Sequence, residues 1–295
     1  MGFHLYQCPN CRYEKTVPHT CKSRFCASCG VRQTDIWIET YTSLFANCEY
    51  QHVIFSPPHE FLNYFRVGRK RYFNCLYGVV AETLSNWYTL TRINKPYYLP
   101  GYMMVMHTFG RSLSWHVHIH VLITCGGLNR QQTAWVNCTY IPHDYLKFHF
   151  KKCFLETIQK LWNNESIEEK PKPLRVWFTP AYQKKLLQKA LKPIWYVHIG
   201  ERLTNAKAVV KYIGRYTKRP AIAESKILAY NGEAVTFTYQ EHRMTQPAIL
   251  KLPAFDFIER VILHIPDVNF RIIRYGGFYP ITKSQAVRLV SAVRR

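Results

Sequence analysis

Three histidines alternate with large apolar residues in the segment "WHVHIHV", residues 115–121. Successive side chains of a β-strand point to opposite faces, so a strand here places His116, His118 and His120 on one face, roughly 7 Å from one to the next. Imidazole binds metals and exchanges protons near neutral pH. This face is therefore a candidate metal or proton-transfer site. The alternative is an exposed sheet face that carries three solvated histidines.

A second group of candidate ligands lies near the amino terminus, where half of the ten cysteines fall within a short segment: Cys8, Cys11, Cys21, Cys26 and Cys29. The C-x-x-C pair of Cys8 and Cys11 and that of Cys26 and Cys29 together supply four thiolates, the tetrahedral set that structural Zn²⁺ prefers. We expect a zinc-binding module over residues 1–45. Cys21 either joins or replaces one of these ligands, or is a small buried hydrophobic residue.

Two tyrosines are candidate nucleophiles in the segment 205–220, which is predicted to form a helix that Thr204 or Asn205 caps. Tyr212 and Tyr216 are four residues apart and share a helix face. An ordinary apolar stripe that faces the core explains the two tyrosines equally well. The same turns carry four cations that are candidates for DNA phosphate contacts, namely Lys211, Arg215, Lys218 and Arg219.

Gly214 interrupts this helix at a cost of roughly 1 kcal/mol relative to alanine. That cost indicates that another group must approach the helix closely at this point.

The remaining pattern supplies a sheet and helices to position these residues. Strands are predicted at 51–56, 102–109 and 194–199, and helices at about 64–92, 144–163, 181–191, 253–264 and 282–294. The Asn231-Gly232 pair predicts a hairpin. A tight turn joins the strand 102–109 to the histidine strand, so the two should pair in antiparallel fashion with His107 beside the histidine face. The prediction is an α+β fold in which a central antiparallel sheet has flanking helices and follows the zinc module, with the catalytic domain over residues 46–295.

The charge of the chain favours a polyanionic partner. Forty Lys and Arg against 18 Asp and Glu give a net charge of +22, and aromatic residues make up 15% of the chain. A surplus of this size attracts nucleic acid, and aromatic rings stack on unpaired bases. No apolar span of membrane length and no signal peptide is present, so we expect an intracellular protein with no membrane partner. Its cysteines are then expected to be metal ligands or buried thiols and not disulfides.

Histidines and tyrosines together indicate a specific chemistry. A free phenol with a pKa near 10 is a poor nucleophile at neutral pH. Beside a cation that withdraws charge from a phosphodiester, a phenolate attacks phosphorus and expels a 3′-hydroxyl. The protein is then joined to a 5′-phosphate, and the bond energy is kept for strand joining.

The sequence resembles the two-tyrosine rolling-circle transposases of bacterial insertion sequences, which belong to the HUH endonuclease class. The similar segments follow one another along nearly the whole chain: "CKSRFCASCG", "HTFGRSLSW" with "HIH", "KYIGRYTKRPAIAESKI" and "IRYGGFYP". The resemblance implies a central antiparallel sheet with the histidine strand in its middle, and a tyrosine helix packed so that its phenols reach a bound metal ion.

The resemblance also implies roles for individual residues. His118 and His120 match the HUH metal pair, although His116 with His118 fits the same pattern; the candidates for a third ligand are His116 and His107. Tyr212 and Tyr216 match the paired nucleophiles that cut and transfer DNA in turn.

Cofactors and partners follow from the same resemblance. The expected cofactors are a catalytic Mg²⁺ or Mn²⁺ and a structural Zn²⁺. The expected partners are single-stranded DNA at the transposon ends and target DNA in the cytoplasm, at the bacterial nucleoid. The chain has no G-x-x-x-x-G-K-S/T motif, so we expect a separate helicase to unwind the strands.

Three other functions remain open at this stage. A plasmid or phage replication initiator or relaxase would use the same chemistry. A zinc-dependent DNA-binding regulator would bind DNA without cutting it. A metal-dependent hydrolase would activate water instead of tyrosine.

Overall fold

The fold is taken from a computed structural model, which describes residues 2–21, 26–42, 45–89, 97–138, 141–191, 195–217, 220–241 and 244–279. The strands in these ranges are β1 (Phe3–Gln7), β2 (Glu14–Pro18), β3 (Tyr50–Ser56), β4 (Gly101–Phe109), β5 (Trp115–Thr124), β6 (Gly126–Leu128), β7 (Trp135–Asn137), β8 (Tyr196–Leu203), β9 (Ile227–Tyr230), β10 (Ala234–Tyr239), β11 (Ala248–Pro253) and β12 (Ile273–Gly277). The helices are α1 (Ala27–Thr42), α2 (Leu62–Val67), α3 (Arg69–Thr89), α4 (His143–Asn163), α5 (Pro180–Ala190), α6 (Ala206–Thr217) and α7 (Ala254–Leu263).

The central sheet has five strands in the order β12-β4-β5-β3-β8, and every neighbouring pair is antiparallel. The histidine strand β5 is the middle strand. The predicted α+β class, a central antiparallel sheet with flanking helices, is therefore confirmed.

The two faces of this sheet pack against different helices. On one face, Val117, Ile119 and Val121 of β5 are fully buried in a core shared with α3 and α4. On the other face, Leu122 of β5 packs in a smaller cluster with Val209 of α6 and residues of α1. Because side chains alternate along β5, the three histidines lie on the face that α1 and α6 cover only in part.

The tyrosine helix α6 crosses α1 at Gly214. A Cβ atom at this position would lie 2.9 Å from Cγ2 of Thr34 and 3.2 Å from Cγ1 of Ile38, so glycine lets the two helices approach. The close approach predicted from the sequence is thus that of another helix. Asn205 caps α6, since its Oδ1 accepts a hydrogen bond from the backbone N–H of Ala208 at 2.9 Å.

Several elements differ from their predicted bounds. The helix predicted over 64–92 is divided into α2 and α3, because Gly68 takes a non-helical conformation with φ −119° and ψ 51°. The edge strand β12 and the amino-terminal pair β1 and β2 carry too little alternation of apolar and polar residues to be predicted. The helix predicted at 282–294 lies outside the described residues.

A smaller three-stranded sheet, β11-β10-β9, carries the predicted hairpin and packs against α7. Gly232 has a φ of +94°, as the Asn-Gly turn requires. No helix in the described ranges has both the length and the apolar composition that crossing a bilayer requires.

The aromatic core beneath the sheet should supply much of the stability of the main domain. Phe154 of α4 is fully buried, and its ring centroid lies 5.1 Å from that of Phe61 and 5.3 Å from that of Trp195. We expect Phe154→Ala to lower the free energy of unfolding by about 3–5 kcal/mol, because it leaves a cavity. Phe148→Ala, on the same helix but 64% exposed, is the control and should change it by less than about 0.5 kcal/mol. Urea denaturation of both variants checks this, and equal losses would contradict the described packing of α4.

Candidate active site and metal centres

Three histidines from two neighbouring strands form a compact cluster. His107 of β4 stands directly opposite His118 of β5 in the antiparallel register. One ring nitrogen each from His107, His118 and His120 lies within 4.8 Å of the other two. The predicted position of His107 beside the histidine face is confirmed. This spacing fits three ligands of a single metal ion.

The cluster is withdrawn from water. His107 is 4% exposed and His118 is 9% exposed. Burial, followed by the neighbouring His116, lowers the pKa of His118 to about 3. Burial and the surrounding histidines hold the pKa of His120 well below its usual range. The imidazoles of His118 and His120 are therefore neutral at pH 7, the form that binds metals.

His116 has a different environment. It is exposed at the start of β5, and its ring centroid lies 4.9 Å from that of His118. It is not one of the three residues in the cluster. Partial burial of its ring, followed by the nearby His59, lowers its pKa.

Sequence analysis missed a further histidine, His52 of β3, which connects the cluster to the tyrosine helix. The Nε2 atom of His52 lies 2.8 Å from Nδ1 of His120, and the two rings stack at a centroid distance of 5.0 Å. The hydroxyl oxygen of Tyr212 lies 3.3 Å from the same Nε2 atom. Burial, followed by His198 of β8, lowers the pKa of His52 to about 4. The phenol and the histidine cluster are thus linked through one imidazole.

The structure describes only some of the other residues predicted on α6. Lys211 is exposed to solvent. The side chains of Tyr216 and Arg215 lie outside the described part of the structure, and so do the whole residues Lys218 and Arg219. Of the two predicted nucleophiles, the structure therefore places Tyr212 at the histidines.

A cleft of about 1510 Å³ opens over these groups. Seven of the 13 histidines line it, together with Tyr212: His52, His59, His107, His116, His118, His120 and His198. Two cations that sequence analysis did not single out, Arg111 and Lys226, also line it. Their signal in the sequence was weak, because each is an isolated basic residue in a turn or at a strand end.

The predicted zinc ligands fall into two groups. The Sγ atoms of Cys21, Cys26 and Cys29 all lie within 4.8 Å of one another, at the start of α1. Cys8 and Cys11 are not in this group and lie in the turn between β1 and β2. The backbone N–H of Cys11, followed by that of Asn10, lowers the pKa of the Cys8 thiol by hydrogen bonding.

Both groups suit Zn²⁺. Three thiols at this separation match the tetrahedral arrangement with Zn–S distances of about 2.3 Å. Backbone N–H groups directed at the Cys8 sulfur stabilise the thiolate, which is the form that binds the metal. The structure brings Cys21, an uncertain ligand in the sequence, into the cluster with Cys26 and Cys29.

Comparison with known proteins identifies the family of this chain. A family profile described as "Putative transposase" matches residues 101–286, and one described as "Transposase zinc-binding domain" matches residues 1–57. The first match spans the histidine strands and the tyrosine helix. The chain belongs to this family of transposases. The family resemblance seen in the sequence is confirmed, and so is the assignment of the amino-terminal cysteines to a zinc-binding domain.

Two transposases are similar over almost the whole chain. The transposase for insertion sequence element IS801 of Pseudomonas savastanoi pv. phaseolicola is 31% identical over 286 residues, which are 94% of this chain and 66% of that protein. The "Putative transposase y4qJ" of Sinorhizobium fredii (strain NBRC 101917 / NGR234) is 26% identical over 285 residues, again 94% of this chain and 70% of that protein. The chain thus spans about two-thirds of the length of these relatives. No solved structure matches it.

Loss of zinc should disrupt the amino-terminal domain of this transposase selectively. We expect Cys26→Ser to reduce the bound zinc per chain and to make β1, β2 and the start of α1 sensitive to proteolysis, because a structural zinc site contributes folding free energy directly. Cys75→Ser, in α3 and outside the cysteine cluster, is the control and should retain the metal. Atomic absorption and limited proteolysis measure the two effects. A Cys26→Ser protein that keeps its full zinc content would contradict this ligand assignment.

Proposed function

We propose that this transposase nicks single-stranded DNA and joins strands through a 5′-phosphotyrosine intermediate, as a rolling-circle transposase of the HUH type. The observation that supports this most directly is the contact of Tyr212 with His52, which in turn contacts His120 of the histidine cluster. A candidate nucleophile and a candidate metal centre therefore share one cleft. The net charge of +22 suits a DNA substrate.

The proposed reaction consists of a cleavage step and a strand-joining step. The phenolate oxygen of Tyr212 or Tyr216 attacks phosphorus, and the bond from phosphorus to the 3′ oxygen breaks. The phenol loses its proton to solvent, and the departing 3′ oxygen takes a proton from solvent. The DNA remains attached to the tyrosine through its 5′-phosphate. Attack by a free 3′-hydroxyl on this phosphotyrosine reverses the bond exchange and joins a new strand.

The catalytic metal ligands in this proposal are His107, His118 and His120. A divalent cation held there would neutralise charge on the phosphate that is attacked. Three imidazoles suit a transition metal better than the hard ion Mg²⁺. Of the two expected ions, Mn²⁺ therefore fits this ligand set better.

His52 has a positioning role in this site. If Nε2 of His120 binds the metal, the Nδ1–H of His120 donates to Nε2 of His52, which fixes the tautomer and the ring orientation of the ligand. With this nitrogen accepting from His120, the phenol of Tyr212 is held by the packing of its ring on the His52 ring, at a centroid distance of 5.0 Å. In this proposal His52 thus orients both the metal ligand and the nucleophile.

The structural zinc in this proposal is bound by Cys21, Cys26 and Cys29, with one thiolate from the pair of Cys8 and Cys11 as the fourth ligand. The partners we propose are single-stranded DNA at the transposon ends, target DNA and a separate helicase. Lys211, Arg215, Lys218 and Arg219 remain the proposed phosphate contacts on and after α6.

The central experiment is the capture of a covalent adduct. We expect purified protein with Mn²⁺ to form a denaturant-resistant complex with single-stranded DNA that carries an element end. Tyr212→Phe and Tyr216→Phe should each remove part of the adduct, and the double variant should remove all of it, because phenylalanine keeps the ring and lacks the nucleophilic oxygen. Tyr230→Phe, an exposed tyrosine on β9, is the matched control.

Three results would overturn the proposal. An adduct that persists in the double variant identifies another nucleophile. Cleaved DNA with no attached protein indicates a hydrolase that activates water. DNA binding with neither adduct nor cleavage, at several ends and with several metals, indicates a regulator.

The composition of the metal site gives a separate prediction. We expect His107→Ala to weaken Mn²⁺ binding by at least tenfold, because losing even an outer partner of a ligand costs 10–100-fold in affinity. His116→Ala removes a histidine from the same cleft but leaves the cluster of three intact, so its effect should be several times smaller. Calorimetric titration with Mn²⁺ compares them, and a larger effect of His116→Ala would place the third ligand there.

A further inference from the structure

A second depression, which we call the outer groove, lies next to the catalytic cleft. Its volume is about 490 Å³, and its walls include Arg66, Trp115, Tyr182, Lys185 and Lys189. His59 lines both the outer groove and the cleft. The two spaces therefore adjoin at this residue.

The position of the outer groove follows from the alternation of β5. Trp115 and His116 are consecutive residues at the start of this strand, so their side chains point to opposite faces of the sheet. His116 lines the cleft and Trp115 lines the outer groove. The end of β5 thus separates the two spaces, which have His59 in common.

Two aromatic side chains in the outer groove are suited to stacking on bases. Trp115 is partly buried, with the Arg69 guanidinium 5.7 Å and the near-parallel His264 ring 6.1 Å from its ring. Its Nε1–H donates to the backbone oxygen of Leu62 at 3.0 Å, so the indole is held in place and only its remaining surface is available to a base. Tyr182 of α5 is also partly exposed. Stacking of an unpaired base on an aromatic ring is worth about 1–3 kcal/mol and tolerates any sequence.

Three cations stand beside these rings. Lys185 forms no ion pair with any residue in the described ranges. Arg66 pairs with Glu259 at 3.0 Å and Lys189 pairs with Glu60 at 3.6 Å, yet the two basic side chains remain 52% and 67% exposed. Exposed ion pairs contribute only about 0.2–1 kcal/mol. A DNA phosphate can therefore replace Glu259 at Arg66 at little cost. Glu60 is 22% exposed and itself lines the outer groove, so Lys189 is partly neutralised. Lys185 and Arg66 are therefore the main candidates for phosphate contacts.

We propose that the outer groove binds the single-stranded DNA that flanks the cleaved phosphate, with bases on Trp115 and Tyr182 and phosphates at Arg66, Lys185 and Lys189. This inference rests on the proposed function, because the cleft must hold the reacting phosphate. It adds a second DNA contact surface on α2, β5 and α5, apart from the tyrosine helix.

The helix α5 offers a matched control. Lys185 and Lys189 line the outer groove, whereas Lys184 lines a separate depression between α4 and α5. Lys160 of α4 is exposed and lines neither the cleft nor the outer groove. The pair Lys185→Ala with Lys189→Ala and the pair Lys184→Ala with Lys160→Ala therefore remove equal charge from different surfaces.

The experiment measures DNA affinity by fluorescence anisotropy in the full chain with Tyr212→Phe and Tyr216→Phe, so that no covalent product forms. Two single-stranded oligonucleotides of about 5 and about 20 nucleotides bracket the usual site sizes of single-strand-binding folds. The groove pair should weaken binding of the long strand at least fivefold. It should also reduce the slope of log affinity against log salt by about 1.4, since each lost phosphate contact contributes about 0.7 for single strands.

Three comparisons complete the test. The control pair should leave the affinity for the long strand within twofold of its starting value. The short strand should lose at most twofold in the groove pair, because it is held by the cleft. Tyr182→Leu should weaken binding of the long strand without a change in the salt slope, because it removes stacking and no charge. Thermal melting of each variant shows that the fold is retained.

Failure of this inference is distinguishable from failure of the proposed function. If the wild-type protein forms adducts while the groove pair and the control pair bind the long strand equally, the outer groove is not a DNA site. Equal losses for the long strand and for the matching duplex in the groove pair would indicate nonspecific attraction and would also overturn it. If no adduct forms in the wild-type protein, the proposed function fails whatever the groove variants do.

Discussion

The antiparallel register of β3, β4 and β5 is the constraint on which the site depends. It sets His107 opposite His118 and Ile54 opposite His120, and it brings His52 of β3 onto the same face. A shift of one residue in either pairing would turn the partner side chains to the opposite face. The register is held by the apolar residues of β5 that alternate with the histidines, since Val117 and Ile119 are fully buried in the core on the opposite face of the sheet. Packing of the core on one face of the sheet thus fixes the positions of the histidines on the other face.

Burial of the histidines has an electrostatic consequence. His118 and His120 are withdrawn from water and lie among other imidazoles, and both effects oppose their protonation. Neutral rings that lie close together offer several lone pairs to one small volume. A cation in that volume would replace the hydration that burial has removed. The low pKa values of His118 and His120 and the suitability of the cluster as a metal centre thus have the same origin.

Much of this arrangement could be predicted from the sequence, and the missing parts share one physical cause. The strand that carries His116, His118 and His120, the hairpin at Gly232 and the helix that carries Tyr212 depend on local periodicity and turn chemistry. The role of His52 depends on the pairing of β3 with β5, which are separated by about 60 residues along the chain and are aligned by packing. The closeness of Cys21 to Cys26 and Cys29 is likewise a tertiary feature that spacing does not reveal. Spacing identified the candidate ligand types, and the tertiary fold shows which of them lie close together.

Helix α1, next to the cysteine cluster, and helix α6, which carries Tyr212, are in direct contact where they cross. The two helices lie this close at Gly214 because glycine has no Cβ atom, which would otherwise meet the side chain of Thr34. Tyr212 lies two residues before Gly214 on α6, and the cysteine cluster lies at the start of α1. The amino-terminal domain therefore helps to position Tyr212, the proposed nucleophile. If this domain were exchanged between relatives, the position of the phenol would be preserved only if the surface of α6 that contacts α1 were exchanged as well.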